Sequence, residues 1–473
     1  MIVDKGIGGS VTAPRIRIIE IDAFERDIRL RLPFRFGAAT LEKAPQAFIR
    51  VRVEDEKGRT AIGGAAEMMV PKWFDKNPVL TPAENVDQLR ASIRAAAAAS
   101  LEASVATTLF TAARVNEIET IRRLPGNPLA AGFGPSLIAR AALDAYCRLA
   151  GISFFDAVRR NLIGIGGHTL PGDIDAGTVS ATLADLRPAG SISARHTIGL
   201  VDPITEGDIA DPVGDSLPQS LEAVVAHYGN RWFKIKLSGG IDADLDRLTR
   251  IAAVLDRMPD YRVTFDGNEQ FGAAEQLAAL LARIEATPRL ARLRAAITFV
   301  EQPFSRAITM ETPLGDLAAR LPFLIDESDD GDGAFARARG LGYTGVSSKT
   351  CKGIYRSLMK AIRIRTGTGP GLFLSGEDLT CQAGLAVQQD LALVSLLGLS
   401  HVERNGHHYV AGMQGAPQAE KARFAAAHPD LYEQGATGPL LSIRDGRIAI
   451  ASLGTIGYAS GALPDFEAMK PLT

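Results

Sequence analysis

Between Trp232 and Lys352 the chain carries five short apolar runs, each closing on a polar or charged side chain. RWFKIKLSGG holds Lys234 and Lys236, YRVTFDGNEQF holds Asp266 and Asn268, and ITFVEQPF holds Glu301. PFLIDESDD follows with Asp326 and Glu327, then GVSSKTCKG with Lys349 and Cys351. Runs of Val, Ile, Phe and Leu this short, ending in polar residues, read as strands buried on both faces. Helical patterns lie between most of them, over 242–258, 273–293 and 354–366. Alternating strand and helix with chemistry at the strand ends predicts an α/β fold, a (β/α) barrel of modified TIM type. In such a barrel the active site lies at the C-terminal face of the strands.

The flanking regions predict an α+β capping domain built from the N-terminal region and the C-terminal segment. Strand-like segments at 16–23, 28–34, 47–53 and 60–67 form an antiparallel meander, with a turn at Asp55-Glu56-Lys57-Gly58. Helical patterns follow at 82–101, 109–123 and 135–149. The expected division is a cap over 1–135, a barrel over 136–410 and a C-terminal segment over 411–473 that packs back on the cap. Barrel strand one is placed at His196–Gly199, strand seven at 371–375 and strand eight at 400–403. Near the end, LLSI, the turn Arg444-Asp445-Gly446 and RIAIA give a hairpin signal.

Composition removes several function classes. Lys plus Arg (52) nearly balances Asp plus Glu (54), so no nucleic acid or anionic membrane surface is expected as partner. No apolar run approaches the roughly 20 residues that span a bilayer. The first residues lack the charged-then-apolar order of a secretion signal. Three scattered cysteines make neither a disulfide framework nor a zinc site. A cytoplasmic location follows as the expectation.

Side chains two apart on a strand share a face, so Lys234 and Lys236 point together, as do Asp266 and Asn268. Asp266, Glu301 and Asp326 offer hard oxygen ligands on three successive strands without thiolate or imidazole. That set suits Mg²⁺ better than Zn²⁺, with Mn²⁺ as a substitute. Lysines facing a bound divalent cation are expected to lose their protons more easily, giving a base near working pH. A base opposite an oxygen-bound Mg²⁺ suits removal of a proton α to a carboxylate through an enediolate. This pairing is an established one for enolase-type sites.

The chain resembles the enolase superfamily, near its muconate-lactonising and dipeptide-epimerase branch (mandelate racemase/muconate lactonising enzyme-like proteins). The matching motifs are KIK at 234–236, DGN at 266–268, VEQP at 300–303, DES at 326–328 and SSKTCKG at 347–353. ALDAYCRLAG at 142–151 is similar to the helix that leads into the family's barrel. The resemblance implies that Asp266, Glu301 and Asp326 bind Mg²⁺. It implies that Lys236 and Lys349 act as acid and base on opposite sides of a small carboxylate substrate, and that Lys234 neutralises the substrate carboxylate. Asn268 and Glu327 would support the ligands, and assembly into homo-oligomers is a family expectation.

Departures from the family pattern bear on the substrate. No histidine lies between His227 and His401, which argues against the branches that use a strand-seven histidine. The Asp-x-Asp pattern that holds a dipeptide ammonium is absent; Glu403 in VERNG stands nearest to that role. The loops over 164–177 and between Asp266 and Glu301 are longer than usual for the family. Arg35 is a candidate for a substrate anion in the cap, and His196 for a substrate contact or a structural hydrogen bond. Cys351 either lines the barrel mouth or packs as a small apolar residue. His407 and His408, past strand eight, are placed as surface or loop residues, and Glu377 and Asp378 either line the site or cap a helix. Three readings follow. The first is a racemase or epimerase on an amino-acid or N-acyl amino-acid type substrate. The second is a lyase, cycloisomerase or dehydratase with the same site, and the third a homologue that binds metal or ligand without turnover.

Overall fold

The computed structural model describes residues 13–472 apart from 38, 104, 368 and 370. Its centre is a closed ring of eight parallel strands: β4 (Ser191–Ile198), β5 (Trp232–Lys236), β6 (Arg262–Asp266), β7 (Ile297–Glu301), β8 (Phe323–Ile325), β9 (Gly345–Ser348), β10 (Phe373–Gly376) and β11 (His401–Arg404). β11 pairs back to β4 and closes the barrel. Helices such as Ile241–Leu255, Ala274–Ala286, Ile354–Thr366 and Leu385–Leu396 follow individual strands. Ile241–Leu255 and Ala274–Ala286 each bury one apolar face, whereas Leu385–Leu396 is buried along its whole length.

The cap is an antiparallel sheet of β1 (Ile16–Phe36), β2 (Ala39–Asp55) and β3 (Thr60–Met68), packed against the helices Pro82–Glu102, Leu109–Arg123 and Phe133–Ala150. One continuous 21-residue strand, β1, replaces the two shorter segments read from the sequence. Its register with β2 shifts at Ile18/Glu20 and Arg29/Phe34, and these bulges bend it without ending it. Gly63 sets the distance between sheet and helix. A methyl group there would lie 2.1 Å from the amide nitrogen of Ala145. The Asp144 carboxylate then reaches the amide of Gly64 at 2.9 Å.

The C-terminal segment serves both bodies. β12 (Tyr432–Gly435) and β13 (Gly438–Leu441) form a hairpin of their own, so LLSI pairs upstream and not with RIAIA. β14 (Arg447–Ala449) instead adds antiparallel to β4 of the barrel. β15 (Lys470–Pro471) pairs with β1 of the cap. Arg26 and Glu420, both buried, make a bidentate ion pair that fastens the segment to the cap sheet. Among the described residues no helix is long and apolar enough to cross a membrane.

Candidate active site

Strand register assembles the site. Lys236 is level with Asp266, and Asp266 with Glu301, so three consecutive strands present a row of Lys, Asp and Glu at one height. Strand-end turns lock the row. Asn268 and Glu269 both have positive φ (42° and 68°), and the Asn268 amide donates to Asp266 Oδ1 at 2.9 Å. Gly267 between Asp266 and Asn268 has no room for a side chain, since a methyl group would lie 2.6 Å from the Cα of Pro303. Gln302, also at positive φ (32°), accepts from the amides of Asp326 and Ser328 and so ties the end of β7 to the end of β8. Backbone of this kind concentrates at functional sites.

The three strand-end lysines are buried and bound to acids. Lys236 Nζ donates to Asp266 Oδ2 at 2.6 Å, and Lys349 Nζ to Asp326 Oδ2 at 2.6 Å. Lys234 Nζ stands among four carboxylates: Asp266 at 3.0 Å, Glu301 at 2.8 Å, Glu377 at 2.7 Å and Glu403 at 2.9 Å. Burial alone would depress the Lys234 pKa, but Asp266, Glu301, Glu377 and Glu403 together push it well above the usual lysine value. Lys349 goes the same way: burial opposes its charge most, and Asp326, Glu403 and Glu301 together raise its pKa above the usual lysine value. These directions are opposite to the lowering expected from the sequence, because the strand-end carboxylates crowd the ammonium groups and outweigh burial. Glu301 is the least satisfied of the acids. Burial, then Asp266 and Glu377, raise its pKa well above the ordinary range.

Acids of the same cluster are held from behind. Asp326 Oδ1 accepts from Ser347 Oγ at 2.5 Å and from Lys352 Nζ at 3.3 Å. Lys352 also donates to Asp329 at 2.8 Å. Glu377 is paired with the fully buried Arg195 of β4. Glu403 accepts from Thr197 Oγ1 at 2.7 Å, Asn405 Nδ2 at 3.0 Å and the Asp378 amide at 2.8 Å. Sequence reading missed Arg195, Gln302 and Lys352. Arg195 lies within a strand and Gln302 and Lys352 in the turns after strands, and a basic or amide residue at such a place is an ambiguous signal without the register.

The cap closes over this cluster. Phe34, Phe36, Val70 and Trp73 line a central cavity of about 20 Å³, together with the lysines, Asp266, Asn268, Asp326 and Glu403. That is room for about one water molecule. The Trp73 ring centroid lies 4.1 Å from Lys349 Nζ and the Phe34 centroid 5.9 Å from Lys236 Nζ, within cation–π range. Lys76 fastens the cap segment by donating to the Asn268 carbonyl at 2.9 Å and Glu327 Oε1 at 3.0 Å. Arg306 fastens it again through the carbonyls of Trp73 and Phe74. Outside this seal lies a groove of about 720 Å³ bordered by Phe36, Leu41, Pro71, Lys76 and Glu269.

Of the residues singled out from sequence, Lys234, Lys236, Lys349, Asp266, Glu301, Asp326, Asn268 and Glu403 converge. Glu327 adjoins them, buried under Lys76. Three do not. Arg35 is exposed, because Phe34 and Phe36 on either side of it take the inward positions of β1. His196 is level with Phe233, whereas Thr197 is level with the inward Lys234. It therefore points out of the barrel, where its ring packs on His407 and His408. Those two are buried, not surface residues. Cys351 sits in the tight turn Thr350–Lys352 after β9 and does not line the cavity, so strand alternation from Lys349 does not reach it. Burial pushes its thiol pKa well up.

Among the described residues, no group of three or more His, Cys, Asp or Glu side chains stands open as a metal site. The donor set nevertheless fits a hard divalent cation. Asp266 and Glu301 already hold a cation, the Lys234 ammonium, about 3 Å away, and Asn268 Oδ1 is buried without a hydrogen-bond partner.

No family model matches the chain, and no curated protein matches it in sequence. Solved structures do match over nearly the whole length. A dipeptide epimerase from Cytophaga hutchinsonii, complexed with Mg and the dipeptide D-Ala-L-Val, superposes with TM-score 0.63 at 14% identity, covering 96% of this chain and 98% of that one. An enolase from Bradyrhizobium, complexed with magnesium and mandelic acid, gives TM-score 0.61 at 16% identity, covering 97% and 98%. The 2-chloromuconate cycloisomerase from Rhodococcus opacus 1CP gives 0.58 at 18%, covering 96% and 98%. The chain has the enolase-superfamily fold. Its cap and barrel are similar in fold to those of the mandelate racemase/muconate lactonizing enzyme-like structures, and its buried lysines and acids sit at the barrel's C-terminal strand ends.

Proposed function

We propose that the chain is an enzyme that removes a proton α to the carboxylate of a small molecule, with Mg²⁺ held by Asp266, Glu301 and Asp326. The observation that supports this most is the pairing of two buried lysines with two different acids across one cavity under the cap, Lys236 with Asp266 and Lys349 with Asp326. When bound, the cation supplies a Lewis acid that stabilises negative charge on the substrate carboxylate. The chain's own groups do the rest. Lys236, on strand two of the barrel, and Lys349, following strand six, exchange protons with the α-carbon from separate directions. Lys234 adds positive charge where the substrate carboxylate arrives. Phe34, Phe36, Val70 and Trp73 exclude water, which strengthens each of these electrostatic contacts.

Two bases on one carbon suit racemisation or epimerisation. Free ammonium on the substrate is disfavoured by the lining. Asp378 is committed to the amides of Cys381 and Asn405, and Glu403 to Lys234, Thr197 and Asn405. An N-acyl amino acid, or another carboxylate with an uncharged substituent, matches that lining better.

The deciding measurement is α-deuterium incorporation from D₂O, followed by mass, over a library of carboxylates with Mg²⁺ present. Exchange that leaves the substrate otherwise intact and disappears on chelation supports the racemase reading. Exchange accompanied by loss of a group or ring closure moves the assignment to a lyase or cycloisomerase. A protein that binds no divalent cation rules out the roles given to Asp266, Glu301 and Asp326.

A further inference from the structure

Lys234 has more acid partners than one ammonium needs. Its four carboxylates fall into two pairs on different sides of the barrel. Asp266 and Glu301 come from β6 and β7, and Glu377 and Glu403 come from the ends of β10 and β11. The pairs differ in how they are built. Glu377 and Glu403 are anchored without Lys234, the first by Arg195 and Ser375, the second by Thr197, Asn405 and the Asp378 amide. The Glu301 carboxylate has no hydrogen-bond donor among the described residues other than Lys234. Glu377 and Glu403 are a fixed cradle, Asp266 is partly held by Lys236 and the Asn268 amide, and Glu301 depends on whatever cation is near.

We propose that Lys234 is the internal counter-cation of the metal-free site, and that Glu377 and Glu403 hold its ammonium when Asp266 and Glu301 turn to a divalent cation. This rests on the metal assignment made above and adds a role for two acids that it leaves unused. The lysine keeps two bonds of 2.7 and 2.9 Å throughout and gives up the other two. Without the cradle, the ammonium has only Asp266 and Glu301 to neutralise it and competes directly with the entering ion. Glu377 and Glu403 are thus positioning residues, acting on the metal through Lys234.

The test is Mn²⁺ binding, read by the loss of the free-ion EPR signal, in the parent chain and in Glu403→Gln, Glu377→Gln and Lys234→Met. The thermal shift on adding Mn²⁺ is recorded beside it. Glu403→Gln should bind Mn²⁺ about tenfold more weakly, and Lys234→Met about tenfold more tightly, the size expected for one unit charge in a partly screened interior. Lys234→Met should also melt lower without metal and gain more from Mn²⁺ than the parent does. If Lys234→Met does not fold, the weakening in the two glutamine variants carries the test. Equal affinities in parent and Glu403→Gln, or weaker binding in Lys234→Met, would overturn the proposal. A parent protein that binds no Mn²⁺ would remove the metal reading itself, which is a different result.

Discussion

The indole of Trp73, in the cap, lies 4.1 Å from the ammonium of Lys349, at the end of the barrel's sixth strand. One residue therefore seals the cavity and shields a base from water. Trp73→Ala should cost about 3–5 kcal/mol of stability, as for other buried large-to-alanine changes, and slow α-exchange. Trp73→Phe should recover most of both. Urea melts and deuterium exchange on the same preparations check this.

Lys236 and Lys349 are expected to act on different faces of the α-carbon. Lys349→Ala should then lose exchange with one enantiomer by about 10²–10⁴-fold and keep it with the other, and Lys236→Ala should show the reverse preference. Equal loss with both enantiomers in both variants would contradict the two-base reading. Chiral chromatography of the deuterated products separates the cases.

The outward-facing His196 makes stability depend on pH. Burial holds its pKa down at about 3, against an ordinary value of 6.5. The unfolded chain therefore binds a proton that the folded chain refuses between those two values. Stability is fully present above pH 6.5 and falls as the pH drops toward 3. Burial lowers His428 to about 4 and adds to the same slope. Melting temperature should fall from pH 7 to pH 5, and His196→Phe should flatten that fall.

Gly63 offers a test of the cap alone. Gly63→Ala puts a methyl group 2.1 Å from the Ala145 amide, which neither strand nor helix can relieve cheaply. A loss of about 3 kcal/mol or more, or recovery of insoluble protein, is expected in denaturant titrations.

What could be read from the sequence was what depends on local pattern. The runs ending in Lys236, Asp266, Glu301 and Asp326 are apolar because parallel strands are covered on both faces, and their polar last residues mark one end of the barrel. Which way a residue points is a matter of register, and register is set by the neighbouring strand. That is why Arg35 reads as a site residue though it faces away, and why sequence leaves His196 between a substrate contact and the structural hydrogen bond to His407 that it makes. It is also why Arg195, one residue from His196, went unnoticed although it holds Glu377. The lysine pKa values depended on a count of nearby acids, and Glu377 and Glu403 enter that count only once the barrel closes. RIAIA looked like half of a hairpin because its turn is local. Its actual partner, β4, lies some 250 positions upstream.

The two-residue strand β15 gives the cap a long wait. β1 pairs with residues 470–471, so the sheet that opens the chain is completed by residues near its other end. Pairings this remote in sequence form late, because most of the chain must be ordered before they repay the entropy of closing the loop. The β15–β1 pairing should therefore be among the last to form, together with the likewise remote β11–β4 closure of the barrel. The β1–β2 hairpin that carries Phe34 and Phe36 is local and forms early.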